Sequence, residues 1–244
     1  MSQKLTIGIF GPFAVGKTSI SVQFVENKFS EVHDPTIEDY FETTRNVKGI
    51  VSNITILDTA GQETYQSLLS DAMSEAEGFI LVYSITDRSS FEKVQKLREK
   101  VQMVQSSTVP VILVGNKCDL EHERVVSKSE GEEIAKSVGC PFIETSAKTG
   151  LNIEQVFELI VLMVRKSKGL ALGNGITPNE VPSMGVPSSS AQSLLTATGG
   201  SDSNLSSSVT TTTTPSSPKV NKRKNSKETP SASSPAKKKE CHVM

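Results

Sequence analysis

Eight residues near the start of the chain restrict its fold more than any others. Gly11-Pro12-Phe13-Ala14-Val15-Gly16-Lys17-Thr18 follows an apolar run over residues 4–10 (KLTIGIF) and opens a helical pattern over about 17–26. The spacing fits G-x-x-x-x-G-K-[ST], a loop that cradles phosphate. Glycines let the backbone wrap an anion, and successive N–H groups then point at it together with the following helix N-terminus. Gly11, Ala14, Val15, Gly16 and Ser19 are the backbone candidates. Lys17 supplies charge to the β- and γ-phosphates, and the Thr18 hydroxyl suits Mg²⁺. Such a loop needs a buried strand before it and a helix after it, and both patterns are present.

The remaining periodicity extends this unit. Residues 38–47 and 50–58 read as paired strands with a tight turn near Lys48-Gly49. Residues 78–85 and 110–115 are short runs rich in β-branched residues, suited to strands buried on both faces of a parallel sheet. Residues 141–145 give a last short strand. Helical patterns fill about 65–76, 88–105, 127–138 and 152–168, with Asn152 as the expected N-cap of the last. Strands alternating with helices predict an α/β domain with a six-stranded, mainly parallel sheet flanked by about five helices.

Three more strand ends carry ligand-type groups. Asp58-Thr59-Ala60-Gly61 closes one strand, and its carboxylate can hold Mg²⁺ opposite the first loop. Asn116-Lys117-Cys118-Asp119 closes another. Guanine offers two adjacent donors that one carboxylate accepts, so Asp119 selects guanine, and Lys117 can lie along the base face. Glu144-Thr145-Ser146-Ala147-Lys148 ends the last strand, where the Ala147 N–H can donate to the guanine O6. Open α/β sheets bind ligands along this edge.

These four elements, with His33-Asp34-Pro35-Thr36-Ile37-Glu38-Asp39, resemble the small GTPases of the Ras superfamily, and the Ras subfamily in particular, over about residues 4–168. The resemblance implies a P-loop NTPase fold and a GTP-hydrolysing switch with GTP/GDP and Mg²⁺ as ligands. It implies that Thr36 ligates Mg²⁺ beside Thr18 and Asp58, and that Gly61 contacts the γ-phosphate. By the same resemblance Gln62 positions the attacking water, Lys17 assists catalysis, and Phe29 packs against the base. Ser146, Ala147 and Lys148 complete the base site. His33 through Ile37 with Glu38, Asp39, Tyr40 and Phe41 form an effector surface for a Ras-binding-type domain, which would add a strand and bring basic residues to Glu31, Asp34, Glu38 and Asp39. Exchange factor and GTPase-activating protein are the other implied partners. Phe13 departs from the glycine usual in this family and projects toward the space needed by Gln62 and an activator's arginine, so a GTP-bound scaffold with very slow hydrolysis is the alternative reading. A P-loop kinase for a small molecule would leave Asn116 to Asp119 unexplained.

Composition divides the chain. Residues 169–244 contain no aromatic residue, and 25 of the 76 are Ser or Thr. Such a segment lacks the apolar area to offset its ordering entropy, so residues 1–168 are expected to be the domain and 169–240 a disordered tail. Residues 1–168 carry 18 basic and 23 acidic residues, a net −5, whereas residues 169–244 carry 8 and 4, a net +4. An acidic domain argues against nucleic acid, and a basic tail points to an anionic membrane. The C-terminal Cys241-His242-Val243-Met244 fits a C-a-a-X box with Met last, hence farnesyl at Cys241 and the cytoplasmic face of the plasma membrane. Ser226, inside a basic cluster, is a candidate phosphosite. Three sparse cysteines exclude a disulfide framework; Cys118 and Cys140 are expected as inert thiols.

Overall fold

The computed structural model describes residues 4–31, 38–59, 66–106 and 108–184. Strands β1 (Lys4–Phe10), β2 (Glu38–Val47), β3 (Ile50–Thr59), β4 (Gly78–Ser84), β5 (Val111–Asn116) and β6 (Phe142–Glu144) alternate with helices. The helices are α1 (Lys17–Glu26), α2 (Gln66–Glu75), α3 (Arg88–Val104), α4 (Lys128–Val138) and α5 (Ile153–Ser167). They form one sheet ordered β2-β3-β1-β4-β5-β6. Every neighbouring pair is parallel except β2 with β3. This is the architecture expected of a P-loop NTPase.

The two-residue period of the strands divides the core. Ile7, Ile9, Ile80, Val82, Ile112 and Val114 pack with residues of α1 and α5 on one face. Phe10, Phe79, Leu81, Tyr83, Val111 and Leu113 pack with residues of α2, α3 and α4 on the other. Parallel strands covered on both faces read as continuous apolar runs, which is why β4 and β5 are so uniform in sequence.

Helix starts follow local chemistry. Asp87 accepts from the Ser89 N–H at 2.9 Å to cap α3. Ser127 and Glu130 form a reciprocal capping box on α4, and Arg88 reaches across to Glu130 at 2.6 Å. Asn152 is the N-cap residue of α5 as expected, but its side chain makes no capping bond and donates instead to the Glu144 carbonyl at 2.7 Å. The residue takes a left-handed backbone at φ +59.

The chain after α5 also departs from the composition argument. Leu172 and Val181 are buried against the α1/α5 core, and Ile176 and Met184 pack on it. The Asn174 N–H donates to the Lys48 carbonyl at 2.8 Å, and Lys166 Nζ donates to the Val181 carbonyl at 2.6 Å. Averaging over 76 residues hid a short apolar stretch that has its own docking surface. Among the described residues, no helix is long and apolar enough to cross a membrane.

Candidate functional site

The loop between β1 and α1 is shaped by two glycines. A Cβ on Gly11 would lie 2.3 Å from the Val82 carbonyl oxygen. Gly16 has φ +95, and a Cβ there would lie 2.4 Å from the Asn116 amide nitrogen. Ala14 also takes a left-handed backbone, at φ +61. Gly16, the residue that precedes α1, has no side chain with which to cap the helix. Its first turn therefore opens on a cavity of about 500 Å³. The lining includes Phe13, Ala14, Gly16, Lys17, Thr18, Ser19, Phe29, Glu31, Asn116, Lys117, Asp119, Ala147 and Lys148.

Asn116 joins three segments of this wall. Its amide donates to the Val15 carbonyl at 2.8 Å, and its carbonyl accepts from Thr145 Oγ1 at 3.1 Å and the Ala147 N–H at 3.2 Å. The Ala147 N–H, expected to face a guanine O6, is thus engaged with Asn116. Ser146 is buried and accepts from the Thr149 N–H at 3.1 Å, bracing the same loop. Arg124 forks onto Glu144 at 2.6 Å and also pairs with Glu121 at 2.6 Å, tying the segment after β5 to the end of β6. That brace was not singled out in the sequence, because a charged residue in a polar loop reads as solvated.

At the phosphate end, Lys17 is buried and donates to the Pro12 carbonyl at 3.0 Å. Burial lowers its pKa to about 8, opposed by the Asp58 charge. Thr18 Oγ1 donates to Asp58 Oδ2 at 2.5 Å. Asp58 is fully buried, and its Oδ1 has no hydrogen-bond partner among the described residues. Burial pushes its pKa up to about 6, against the Thr18 hydrogen bond and the Lys17 charge, while Asp39 adds to the rise. A buried carboxylate with an unpartnered oxygen beside a hydroxyl is a donor set that fits a hard divalent cation.

At the mouth, Phe13 is 59% exposed and Phe29 is 38% exposed. Glu31, expected on the effector surface, pairs with Lys148 at 3.2 Å. Tyr40 is exposed, but Phe41 packs against the α1/α5 core. Thr36, Gly61 and Gln62 lie outside the described residues, as do His33, Asp34, Pro35 and Ile37. The side chain of Glu38 is likewise not described. Cys118 is half-buried and Cys140 buried; burial raises both thiols, Cys140 to about 11.

A Gly-rich loop between the central strand and α1, facing a cavity at the carboxyl edge of a mainly parallel sheet, defines a P-loop nucleotide-binding protein. The Ras family model matches residues 6–166. Over 168 residues the chain is 42% identical to Ras-like protein rasB of Dictyostelium discoideum, covering 68% of this chain and 85% of that protein. The chain belongs to the Ras family. Membership makes it a GTP-binding switch protein that hydrolyses GTP, with GTP/GDP and Mg²⁺ as its ligands and exchange factors, activators and effectors as its class of partners.

Removing the Asn116 amide leaves the Val15 carbonyl, Thr145 Oγ1 and the Ala147 N–H without their buried partner. Asn116→Ala is expected to lower unfolding free energy by about 2–3 kcal/mol. Urea titration with an unchanged m-value and a lower midpoint checks it; an unchanged midpoint refutes it.

Proposed function

We propose that the chain binds guanine nucleotide in the cavity between the loop after β1 and the loops after β5 and β6, and cycles between GTP- and GDP-bound states. The observation that carries this reading is the Asn116 bridge, which holds a phosphate-type loop and a base-type loop on opposite walls of one cavity. In it, Asp119 accepts from the base, Lys117 and Phe29 flank it, and Ser146, Ala147 and Lys148 complete the base wall. Gly11, Ala14, Val15, Gly16 and Ser19 line the phosphates, with Lys17 countering their charge. Thr18, Asp58 and Thr36 are the residues that would hold Mg²⁺, which neutralises phosphate charge when bound. Gln62 orients the attacking water, and Gly61 and Thr36 contact the γ-phosphate. Effectors engage the segment from His33 to Phe41. Phe41 acts there by supporting the strand from inside, since it packs on the core.

Phe13 favours a second reading, in which hydrolysis is slow. Its ring lines the cavity at the mouth, where an activator's arginine must enter. The basic residues beyond the described chain, with a farnesyl group on Cys241, form the membrane-attachment signal of this proposal. A single lipid chain gives only marginal anchoring, and each basic residue near an anionic leaflet adds about 1 kcal/mol. Phosphate on Ser226 would offset part of that attraction.

Three outcomes test these readings. Asp119→Asn is expected to shift preference from guanine toward xanthine nucleotides, because one of two acceptors becomes a donor. Competition binding reads this, and equal ATP and GTP affinity in the wild type would end the nucleotide assignment. Phe13→Gly should raise activator-stimulated single-turnover hydrolysis at least tenfold, about 1.4 kcal/mol of barrier; wild-type turnover already matching the variant removes the slow-hydrolysis reading. Farnesylated protein should bind anionic liposomes more tightly than neutral ones, with Ser226→Asp weaker than Ser226→Ala. Indifference to anionic lipid shows that the basic clusters are not a second signal.

A further inference from the structure

Residues 170–184 lie beyond the region matched by the Ras family model, which ends at residue 166. They are nonetheless built into the domain. Leu172 and Val181 are 7% and 1% exposed. The grip is closest at the turn between β2 and β3. There the Asn174 N–H donates to the Lys48 carbonyl at 2.8 Å. Gly173, at φ +111, comes so near that a Cβ on it would sit 2.2 Å from that same oxygen. The Asn174 side chain covers Gly49 in turn: a Cβ there would lie 2.6 Å from the Asn174 amide nitrogen.

The gripped turn needs support. Lys48 and Gly49 both take left-handed backbones, at φ +50 and +82. Tight hairpins require that geometry, but a lysine disfavours it. β2 is an edge strand, hydrogen-bonded on one side only. Its further restraints include Arg45, which donates to the Phe24 carbonyl at 2.6 Å, Arg165, which donates to the Val47 and Ile50 carbonyls at 3.2 Å each, and the ion pairs of Lys4 with Glu42 at 2.9 Å and of Lys48 with Glu158 at 3.0 Å. From the turn, a continuous antiparallel ladder runs from Val47↔Ile50 to Glu38↔Thr59. Its far end carries the Asp39↔Asp58 pair, and Asp58 is the carboxylate that Thr18 holds at the phosphate end of the cavity. A slip of one residue at the turn would carry every side chain of the strand to the wrong face.

We propose that residues 170–184 are an intramolecular strap whose grip on the Lys48-Gly49 turn holds the β2–β3 hairpin in register, so that retention of guanine nucleotide at the hairpin's far end depends on a segment outside the family-matched region. The proposal rests on the nucleotide reading given above. Leu172, Gly173 and Asn174 are positioning residues in this account; none of them touches the cavity.

The test uses the full chain loaded with a fluorescent GDP analogue. Gly173→Val drives a side chain into the Lys48 carbonyl and detaches the strap. Leu172→Ala loosens it without new atoms and serves if the first variant folds poorly. Asn179→Ala, at an exposed strap position, is the control. Hydrogen exchange should show the Asn174 amide losing protection and the amides of residues 44–53 exchanging at least tenfold faster. GDP release should accelerate at least threefold, with the preference for guanine over adenine unchanged and the control variant like the wild type. A detached strap with hairpin exchange and GDP release both unchanged overturns the proposal, and so does a loosened hairpin that releases GDP at the wild-type rate. A wild type that retains no GDP overturns the nucleotide reading instead, and the strap's hold on the hairpin is then decided by amide exchange alone.

Discussion

One side chain holds the binding edge of this protein together. Asn116 ends β5, is 1% exposed, and reaches 101 residues back along the chain to the Val15 carbonyl. It does so through its amide nitrogen, and its side-chain oxygen accepts from Thr145 Oγ1 and the Ala147 N–H. A buried amide that satisfies three separate segments fixes their spacing, because each bond is costly to leave unmade in a site shielded from water. The loop after β1, the loop after β5 and the loop after β6 therefore keep one geometry. The sheet supplies the rigid platform beneath them.

Charged side chains brace that edge and, separately, the opposite end of the β2–β3 hairpin. Arg124 binds Glu144 and Glu121, and Arg165 binds two carbonyls and Ser52 Oγ near the β2–β3 turn. Burial shifts the Arg165 guanidinium downward from its ordinary range, yet three acceptors within reach offset the lost hydration. At the phosphate end the balance is different. Lys17 and Asp58 are both buried, and burial moves each toward its neutral form. The Asp58 Oδ1 is the group there whose hydrogen-bonding capacity is unmet among the described residues.

Much of the architecture is legible in the sequence because its signals are local. The β1 run, the Gly-rich loop and the start of α1 follow one another in fewer than thirty residues, and the expected span 17–26 is the observed α1. β4 and β5 stand out because both faces are covered. What escaped the sequence depends on partners distant along the chain. Asn152 does sit at the N-cap of α5, but its amide crosses the β6–α5 loop to the Glu144 carbonyl instead of capping the helix. Glu31 sits among carboxylates in sequence and beside Lys148 in space. The strap residues looked like the start of a polar tail because nothing local says that Lys48 and Gly49 wait for them. Of the site itself, Thr18, Asp58, Asn116, Lys117, Asp119 and Ala147 come to one cavity or its immediate wall.

The strand order has a consequence for how the chain reaches its native state. β1 is synthesised first, yet it lies between β3 and β4 and is completed only when residues 50–59 and 78–84 arrive. The wall opposite the Gly-rich loop comes later still, with β5, β6 and Asn116. Contacts of such sequence separation form late, after a large loop-closure cost. The phosphate-type loop is thus among the earliest segments made, yet its finished shape needs Val82 and Asn116 in place. A ligand that recognises only the finished shape stabilises it by RT ln(1 + [L]/Kd). For this protein the nucleotide supply acts on the fraction of chains that stay folded as well as on the state of the switch.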